Sequence, residues 1–339
     1  MRILVTGGAG FIGSHLARSL VHEGHKVTII DDLSGGFTRN IPINCEFIKG
    51  DLCDSKICNQ ATKNIDVVFH LAAHAAEGQS HFCPVHNAEK NYMSFLELYK
   101  NCINNSVKKF IFFSSMAVYG ESPTLPMSED MIRNPEDPYG ICKSSIEQFL
   151  EIEYKVHGLE YVIIRPHNVV GINQRMNDPY RNVVSIFLNR VLKNEPLLIY
   201  GDGTQTRAFT YVDDIIPFVI KCMNDNVINK LKLEDNRILN IGNDIPTSIN
   251  ELAKIVCEET GFSKKPIHVE DRIEVKHAYC TKSKAERILG YVTKTRIKTI
   301  VKNMVKWIKD NNIKYEPFKY FNDLEIVKNA PKTWTKKLL

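Results

Sequence analysis

Three side chains in this sequence have types and spacing suited to moving a proton on and off a hydroxyl group. Tyr139 and Lys143 stand four residues apart in Tyr139-Gly-Ile-Cys-Lys143. On a helix that spacing places both on one face. An ammonium beside a phenol favours phenolate and lowers its pKa from about 10 toward neutrality. Such a phenol can accept a proton from an alcohol and return it. Ser115 lies 24 residues upstream, at the end of the apolar run KFIFFSS. Its hydroxyl can share a hydrogen bond with a substrate oxygen and with the phenol. A tyrosine four residues before a lysine is common on helix surfaces, so the weight of the pair comes from the rest of the chain.

The opening segment, Met1-RILVTGGAGFIGSHL, reads as strand, turn and helix. Gly7, Gly10 and Gly13 satisfy GxxGxxG, and Gly8, Gly10 and Gly13 satisfy GxGxxG. Glycine lets the backbone turn tightly and lets a pyrophosphate approach without a Cβ in the way. The free N–H groups and positive end of the following helix then hold the phosphates. Asp31 ends the next apolar run, 18 residues after Gly13. That is near the spacing for a carboxylate that binds the adenosine ribose hydroxyls. Its charge would repel a 2′-phosphate, which favours NAD over NADP.

These residues need a rigid scaffold, and the chain provides one. Apolar runs at 2–6, 26–31, 45–49, 67–71, 109–114 and 160–165 alternate with amphipathic stretches at 15–23, 87–104 and 139–157. Continuous apolar strands with intervening helices predict an α/β fold with a doubly wound parallel sheet. Ligands of such sheets sit at the carboxyl ends of the strands, where Gly7, Asp31, Asp51, Ala72, Ser115 and Pro166 fall. Beyond about Asn168 the alternation loosens into segments rich in Asn, Asp and Gly. The expected division is a cofactor domain over 1–167, rejoined by 206–238, and a smaller interwoven α/β substrate-binding lobe over 168–205 and 239–320. A lysine-rich tail, 321–339, either wraps the surface or stays disordered. Apolar residues at 297, 300, 301, 304, 305 and 308 make a helical stripe for core packing.

Bulk composition agrees with a globular enzyme. Of 339 residues, 43% are hydrophobic and 24% charged, and the net charge is +5. Basic and acidic residues are scattered, so no nucleic-acid partner is expected. No apolar run reaches about 18 residues, so no membrane span is expected. The first strand begins at residue 2, which leaves no room for a signal peptide. Nine cysteines without a CxxC pair read as reduced thiols of a cytoplasmic protein.

Taken together, TGGAGFIGSH, DD at 31–32, GDL at 50–52, HLAA at 70–73, SSMAVYG at 114–120, YGICK at 139–143, RPHNVVG at 165–171, GDGTQTRAFTYVDD at 201–214 and SKAERILG at 283–290 form a specific pattern. It resembles the extended short-chain dehydrogenase/reductase superfamily, and within it the nucleotide-sugar epimerases and dehydratases. The resemblance covers roughly residues 1–310. It implies a Rossmann-like cofactor domain and Ser115, Tyr139 and Lys143 as catalytic residues. It implies NAD held by Gly7, Gly10, Phe11, Ile12, Gly13, Asp31 and Asp32, with Asp51 and Leu52 at adenine. Leu71, Ala72 and Ala73 would line the nicotinamide ribose, with Ser114, Tyr139, Lys143 and Pro166 near the nicotinamide. Substrate binding would fall to Asn168, Asn182, Val183, Tyr200, Arg207, Arg272 and Ala278. Two arginines suit a diphosphate.

Within that family, dehydratases and UDP-glucuronate decarboxylases carry an acidic residue just before VYG, and 3,5-epimerases carry a cysteine. Here the segment is Ser115-Met116-Ala117-Val118, which can move no proton beyond the serine hydroxyl. The resemblance therefore implies an NAD-dependent 4-epimerase acting on a nucleotide sugar, with a UDP-hexose favoured, through a 4-keto intermediate. A nucleotide-sugar 4-keto reductase, or another epimerase or dehydratase of the family, is the alternative enzyme. A catalytically silent NAD-binding regulator is the alternative from another class. No metal is expected: some of His70, His74, His81, Cys83 and His86 are read as shaping the sugar pocket. Ala278 is expected beside the sugar's C2 substituent, where its small side chain leaves room for an acetamido group, and a one-residue gap would put Tyr279 there instead. The resemblance also implies a homodimer joined through the 87–104 and 139–157 helices, with Phe95, Leu98, Phe149 and Leu150 as candidate contacts.

Overall fold

The computed structural model describes residues 1–271, 274–319 and 324–338. Strands β1 (Arg2–Thr6), β2 (Lys26–Asp31), β3 (Glu46–Lys49), β4 (Val67–His70), β5 (Lys109–Phe113) and β6 (Glu160–Pro166) form a parallel sheet with a seventh strand, Ile238–Ile241. The spatial order is Ile238–Ile241, β6, β5, β4, β1, β2, β3. The order reverses between β1 and β4, where Thr6 lies opposite His70. A ligand crevice opens outside the carboxyl ends of the strands at such a switch point.

Side chains alternate across each strand. Ile3, Val5, Ile29, Phe69 and Ile111 face one core. Leu4, Ile30, Val68, Phe110 and Phe112 face the other. The first face is covered by helix α1 (Phe11–His22) and the helix Val212–Lys221, tied by a 2.8 Å contact from His15 Nδ1 to Asp213. The second is covered by Ser55–Thr62, Ser94–Asn104 and Pro138–His157. A third core, around Phe187, Leu197, Phe209, Leu252, Val301 and Met304, belongs to the smaller lobe. Its helices Val183–Leu192, Ile249–Thr260 and Ile297–Asp310 pack with short paired strands. The stripe on Ile297–Asp310 is buried at Ile300, Val301, Met304, Val305 and Ile308.

Residues 239–241, expected in the lobe, lie in the main sheet. Leu239 and Ile241 are apolar and fully buried, and the strand pairs with β6 from Ile238↔Ile163 to Ile241↔Pro166. The single helix expected over 87–104 is divided. A short helix Pro84–Ala88 runs into a widened turn at Glu89–Met93 and then Ser94–Asn104. Phe95, Leu98 and Leu150, expected as dimer contacts, are buried within their own chain. Phe95 meets Phe149 edge-on, with ring centroids 5.4 Å apart. Both faces of a helix packed on a sheet can carry apolar residues, and these three occupy the inner one.

The tail is not loose where it is described. Residues 324–338 lie against the lobe and the edge of the crevice, with Trp334 buried.

Candidate active site

The helix Pro138–His157 owes its start to its sequence. The Asp137 carboxylate accepts a hydrogen bond from Gly140 N at 2.8 Å, and Pro138 sits in the first turn, where its missing N–H costs nothing. That fixes Tyr139 and, one turn on, Lys143. Tyr139 N donates to Ser80 Oγ at 3.2 Å, which ties the helix start to the far wall. Ser115 follows β5, and its Oγ accepts from Ala117 N at 3.1 Å. Tyr139, Lys143 and Ser115 are all buried and line one cavity of about 990 Å³ along the carboxyl ends of the strands.

Burial, more than the neighbouring Lys143, sets the pKa of the Tyr139 phenol in the free enzyme. The Lys143 Nζ lies 5.7 Å from the Tyr139 ring centroid and donates to Phe113 O at 2.8 Å. Burial pushes the Lys143 ammonium down to about 7. Burial pushes the Tyr139 phenol up from its ordinary value, with the Glu77 carboxylate adding to it, while the hydrogen bond with Ser115 opposes. Full burial of both groups outweighs their proximity.

The Lys143 shift has a consequence for stability. Below about pH 7 the proton is bound in both states, and the folded chain carries the full cost of a buried cation. Between about 7 and the ordinary 10.5, the unfolded chain holds the proton and the folded chain does not. Stability from this group therefore rises with pH through that window. Lys143→Met in cofactor-free protein should melt several degrees above the wild type at pH 6, with the gap closing as pH rises. Thermal midpoints taken across pH check this, and a gap independent of pH would refute it.

At the other end of the crevice, the glycine turn is built for close approach. Gly7 has φ +68°, and a Cβ on it would lie 2.8 Å from Ala72 N. A Cβ on Gly13 would lie 2.3 Å from the Gly7 carbonyl oxygen. Helix α1 starts at Gly10 with no side chain capping its first turn, so those amides remain for an anion. Asp31 is buried and accepts from Ala9 N at 3.0 Å and Leu33 N at 2.8 Å, which holds the turn against β2. Burial pushes its carboxyl up against those bonds. A dinucleotide fits this cradle. Gly7, Gly10, Phe11, Ile12, Gly13, Asp31, Asp32, Asp51, Leu52, Leu71, Ala72, Ala73, Ser114 and Pro166 all line the same cavity as Tyr139 and Lys143.

The residues expected to bind substrate fall on the lobe side of that cavity. Asn168, Asn182, Val183, Tyr200, Arg207 and Ala278 line it; Arg272 lies outside the described residues. Asn182 caps the helix Val183–Leu192 by accepting from Val184 N at 3.0 Å. Arg207 donates to Val275 O at 2.7 Å and meets Glu274 at 3.3 Å. Ala278 pairs with Arg207 in parallel register, and it, rather than Tyr279, faces the cavity.

Several site residues were not singled out from sequence. Lys90 bridges Asp51 and Asp32, at 3.4 Å from the latter, where the adenosine end is expected. Burial works against Asp32, but Ser34 and the Lys90 ammonium together hold its carboxyl low. Thr6 Oγ1 accepts from Leu71 N and Ala72 N, both at 3.1 Å, and lies 2.8 Å from His70 Nδ1. A hydroxyl has one proton to donate, so it goes to Nδ1 and His70 carries its own on Nε2. Burial pushes His70 down to about 3, in keeping with a neutral ring that shapes the end of β4. Ser114 donates to the buried Glu147 at 2.5 Å, which in turn binds Arg165. Arg175 and Arg181 line the cavity from the Asn-rich segment after Gly171. Among the described residues no three His, Cys, Asp or Glu side chains converge as a metal site. His74 instead pairs with Gln79 at 2.8 Å.

A parallel sheet with a glycine turn after β1, and a serine, tyrosine and lysine converging past β5, define a dinucleotide-dependent enzyme. The model of the NAD-dependent epimerase/dehydratase family matches residues 3–242, and the chain belongs to that family. A Methanocaldococcus jannaschii protein provisionally named UDP-glucose 4-epimerase is 36% identical over 315 residues, 91% of this chain and 99% of the relative. The UDP-N-acetyl-α-D-glucosaminuronate decarboxylase of Bacillus cytotoxicus is 36% identical over 281 residues, 79% of this chain and 83% of the relative. The Thermotoga maritima UDP-glucose 4-epimerase, solved with UDP-glucose, superposes with a TM-score of 0.85 at 34% identity, covering 92% of this chain and all of that one.

Proposed function

We propose that the protein is an NAD-dependent nucleotide-sugar 4-epimerase that acts on a UDP-hexose through a 4-keto sugar. The observation that carries this reading is the pairing of Ser115 and Tyr139 in the cavity with a turn, Met116-Ala117, that offers no further acid or base. NAD, when bound, supplies the hydride acceptor and donor for the sugar carbon. Gly7, Gly10 and the first turn of α1 would hold its pyrophosphate, and Asp31, Asp32 and Asp51 its adenosine end. Tyr139 takes the proton of the 4-hydroxyl and later returns it to the same oxygen, once the 4-keto sugar has turned its opposite face toward the cofactor side of the cavity. Ser115 holds the substrate oxygen in line with the phenol, and Lys143 keeps the nicotinamide side of the helix in place through Phe113 O. Asn168, Asn182, Val183, Tyr200 and Arg207 bind the nucleotide diphosphate, which must displace Glu274 from Arg207. Arg272 is assigned with them by resemblance alone. Ala278 leaves room for an N-acetyl group at C2.

A UDP-uronic acid is a second substrate reading. Arg181 lines the cavity and its charge acts on Tyr139, while it meets Asp178 at 3.0 Å. A guanidinium so placed suits a carboxylate. The purified protein, denatured, should release NAD or NADH. Without added cofactor it should interconvert the C4 epimers of one UDP-sugar in a panel of UDP-glucose, UDP-N-acetylglucosamine and UDP-glucuronic acid. Release of carbon dioxide from the last, or a need for stoichiometric reduced cofactor, would replace the epimerase reading.

A homodimer is part of this proposal, through an apolar patch on the outer face of the paired helices. Ile141, Ile152 and Val156 are 52%, 56% and 67% exposed, and Met93 is 49% exposed. Large apolar side chains grouped on one exposed surface mark a protein interface. Light scattering should give twice the 38.7 kDa chain mass at micromolar concentration. A monomer mass would refute the dimer. Among the described residues no helix is long and apolar enough to cross a membrane. All nine cysteines are free thiols, which fits a cytoplasmic enzyme.

A further inference from the structure

The family's matched region ends at residue 242, yet the cavity is finished by the far end of the chain. Residues 324–338 are fastened at several points. The Glu325 carboxylate accepts from Val85 N and His86 N, both at 2.8 Å, in the first turn of the helix Pro84–Ala88. Ile326 N donates to Phe82 O at 3.0 Å. Thr333 Oγ1 and the Tyr200 hydroxyl lie 2.8 Å apart, and Lys332 meets Glu270 at 3.1 Å. The segment thus joins the wall that follows β4 to the lobe.

Between those anchors stands Trp334, only 4% exposed. Its ring meets Tyr180 edge-on at 5.0 Å and Phe82 at 5.8 Å between centroids. Ile186, Phe318 and Leu198 pack around it. A Cβ on Gly78 would come within 3.3 Å of the ring, so the bare glycine makes room for it. Trp334 lines the cavity together with Ile186, Leu198 and Tyr200. Its indole N–H is buried and has no hydrogen-bond partner. A buried donor is nearly always paired, so an unpaired one on a residue that lines a ligand cavity leaves a place for an acceptor that the ligand brings.

We propose that the C-terminal segment 324–338 is a built part of the substrate site, in which Trp334 contacts the uridine diphosphate portion of the substrate and donates its indole N–H to one of its oxygens. The inference rests on the UDP-sugar reading above. Its companions Ile186, Leu198 and Tyr200 belong to the lobe, which places the contact on the nucleotide half of the substrate. The segment then explains how a lysine-rich tail without periodicity comes to be ordered: it folds over the site it completes.

Trp334→Phe in the full chain keeps a six-membered aromatic ring but removes the indole N–H together with the five-membered ring that carries it. By calorimetry it should weaken UDP binding at least about fivefold to tenfold, the range of one neutral hydrogen bond. KM for the UDP-sugar should rise by a similar factor, with kcat and NAD content unchanged. Trp334→Ala should weaken UDP binding further. In a Trp307→Phe background, where Trp334 is the remaining indole, added UDP should change the fluorescence. Wild-type affinity for UDP in Trp334→Phe, with no fluorescence response, would overturn the inference while leaving the substrate reading intact. If the wild type binds no UDP, the substrate reading fails and takes the inference with it.

Discussion

Tyr139→Phe should lower turnover at least about a hundredfold, within the range that a positioned acid or base contributes. The substitution removes one oxygen from a buried ring and leaves the main-chain bond from residue 139 to Ser80 Oγ in place. The helix start, set by Asp137 and Pro138, is untouched. The raised phenol pKa sharpens the expectation. In the free enzyme the group is a neutral donor, hydrogen-bonded with Ser115, so a sugar hydroxyl entering beside it meets a poised relay rather than a standing phenolate. The measurement is kcat on the accepted UDP-sugar, with NAD content and thermal midpoint as controls. Near-normal turnover in a folded, NAD-bound variant would remove Tyr139 from the mechanism. Ser115→Ala should cost less, since it takes away a partner of the phenol and not the proton carrier.

What could be read from sequence, and what could not, divides along a physical line. Five of the six strands from Arg2–Thr6 to Glu160–Pro166 announced themselves because a strand buried on both faces must be a run of apolar residues, and the edge strand Glu46–Lys49 by its two central apolar residues. The glycine turn was legible because only glycine fits 2.8 Å from Ala72 N with a positive φ. Tyr139 and Lys143 were legible by their spacing, but their electrostatics were not. Proximity along a helix favoured a lowered phenol pKa, whereas burial, a property of the whole fold, decided the opposite. The same limit hid the polar residues that act through long-range contacts. Lys90 is one lysine among many until it meets Asp51, 39 residues away in sequence. Arg175 and Arg181 lie in the Asn-, Asp- and Gly-containing segment 171–182, and nothing local says which of its side chains turn inward. The apolar residues chosen for a dimer contact, Phe95, Leu98 and Leu150, pack inside their own chain. The outer face shows only as exposure at Ile141, Ile152 and Val156.

Glu147 is the residue whose loss should most damage the fold, although it touches neither ligand. It is fully buried on the Tyr139 helix, one turn past Lys143. It accepts from Arg165 Nε at 2.9 Å and Arg165 NH2 at 2.5 Å, from Ser114 Oγ at 2.5 Å, and from Arg133 NH1 at 3.3 Å. Arg165, only 1% exposed, lies under the Tyr119 ring at 4.6 Å and leaves its NH1 without a partner. Glu147 is therefore the one carboxylate, among the described contacts, that neutralises a guanidinium at the end of β6. Glu147→Leu would strand that charge in the core. Removing one member of a buried ion pair costs about 3–5 kcal/mol, far more than the intact pair contributes over an apolar substitute. The double variant Glu147→Leu, Arg165→Met should recover most of the loss, because it removes both charges and fills the space. The two partners must therefore be strongly non-additive, and urea unfolding of the wild type, both single variants and the double variant measures this directly. A loss below about 1 kcal/mol in Glu147→Leu would show that the pair is dispensable. Ser114 loses its acceptor in the same variants, and it lies beside Ser115 at the mouth of the cavity. The double variant should therefore regain stability before it regains turnover, which separates the role of Glu147 in holding the sheet from its role in aligning the serine pair.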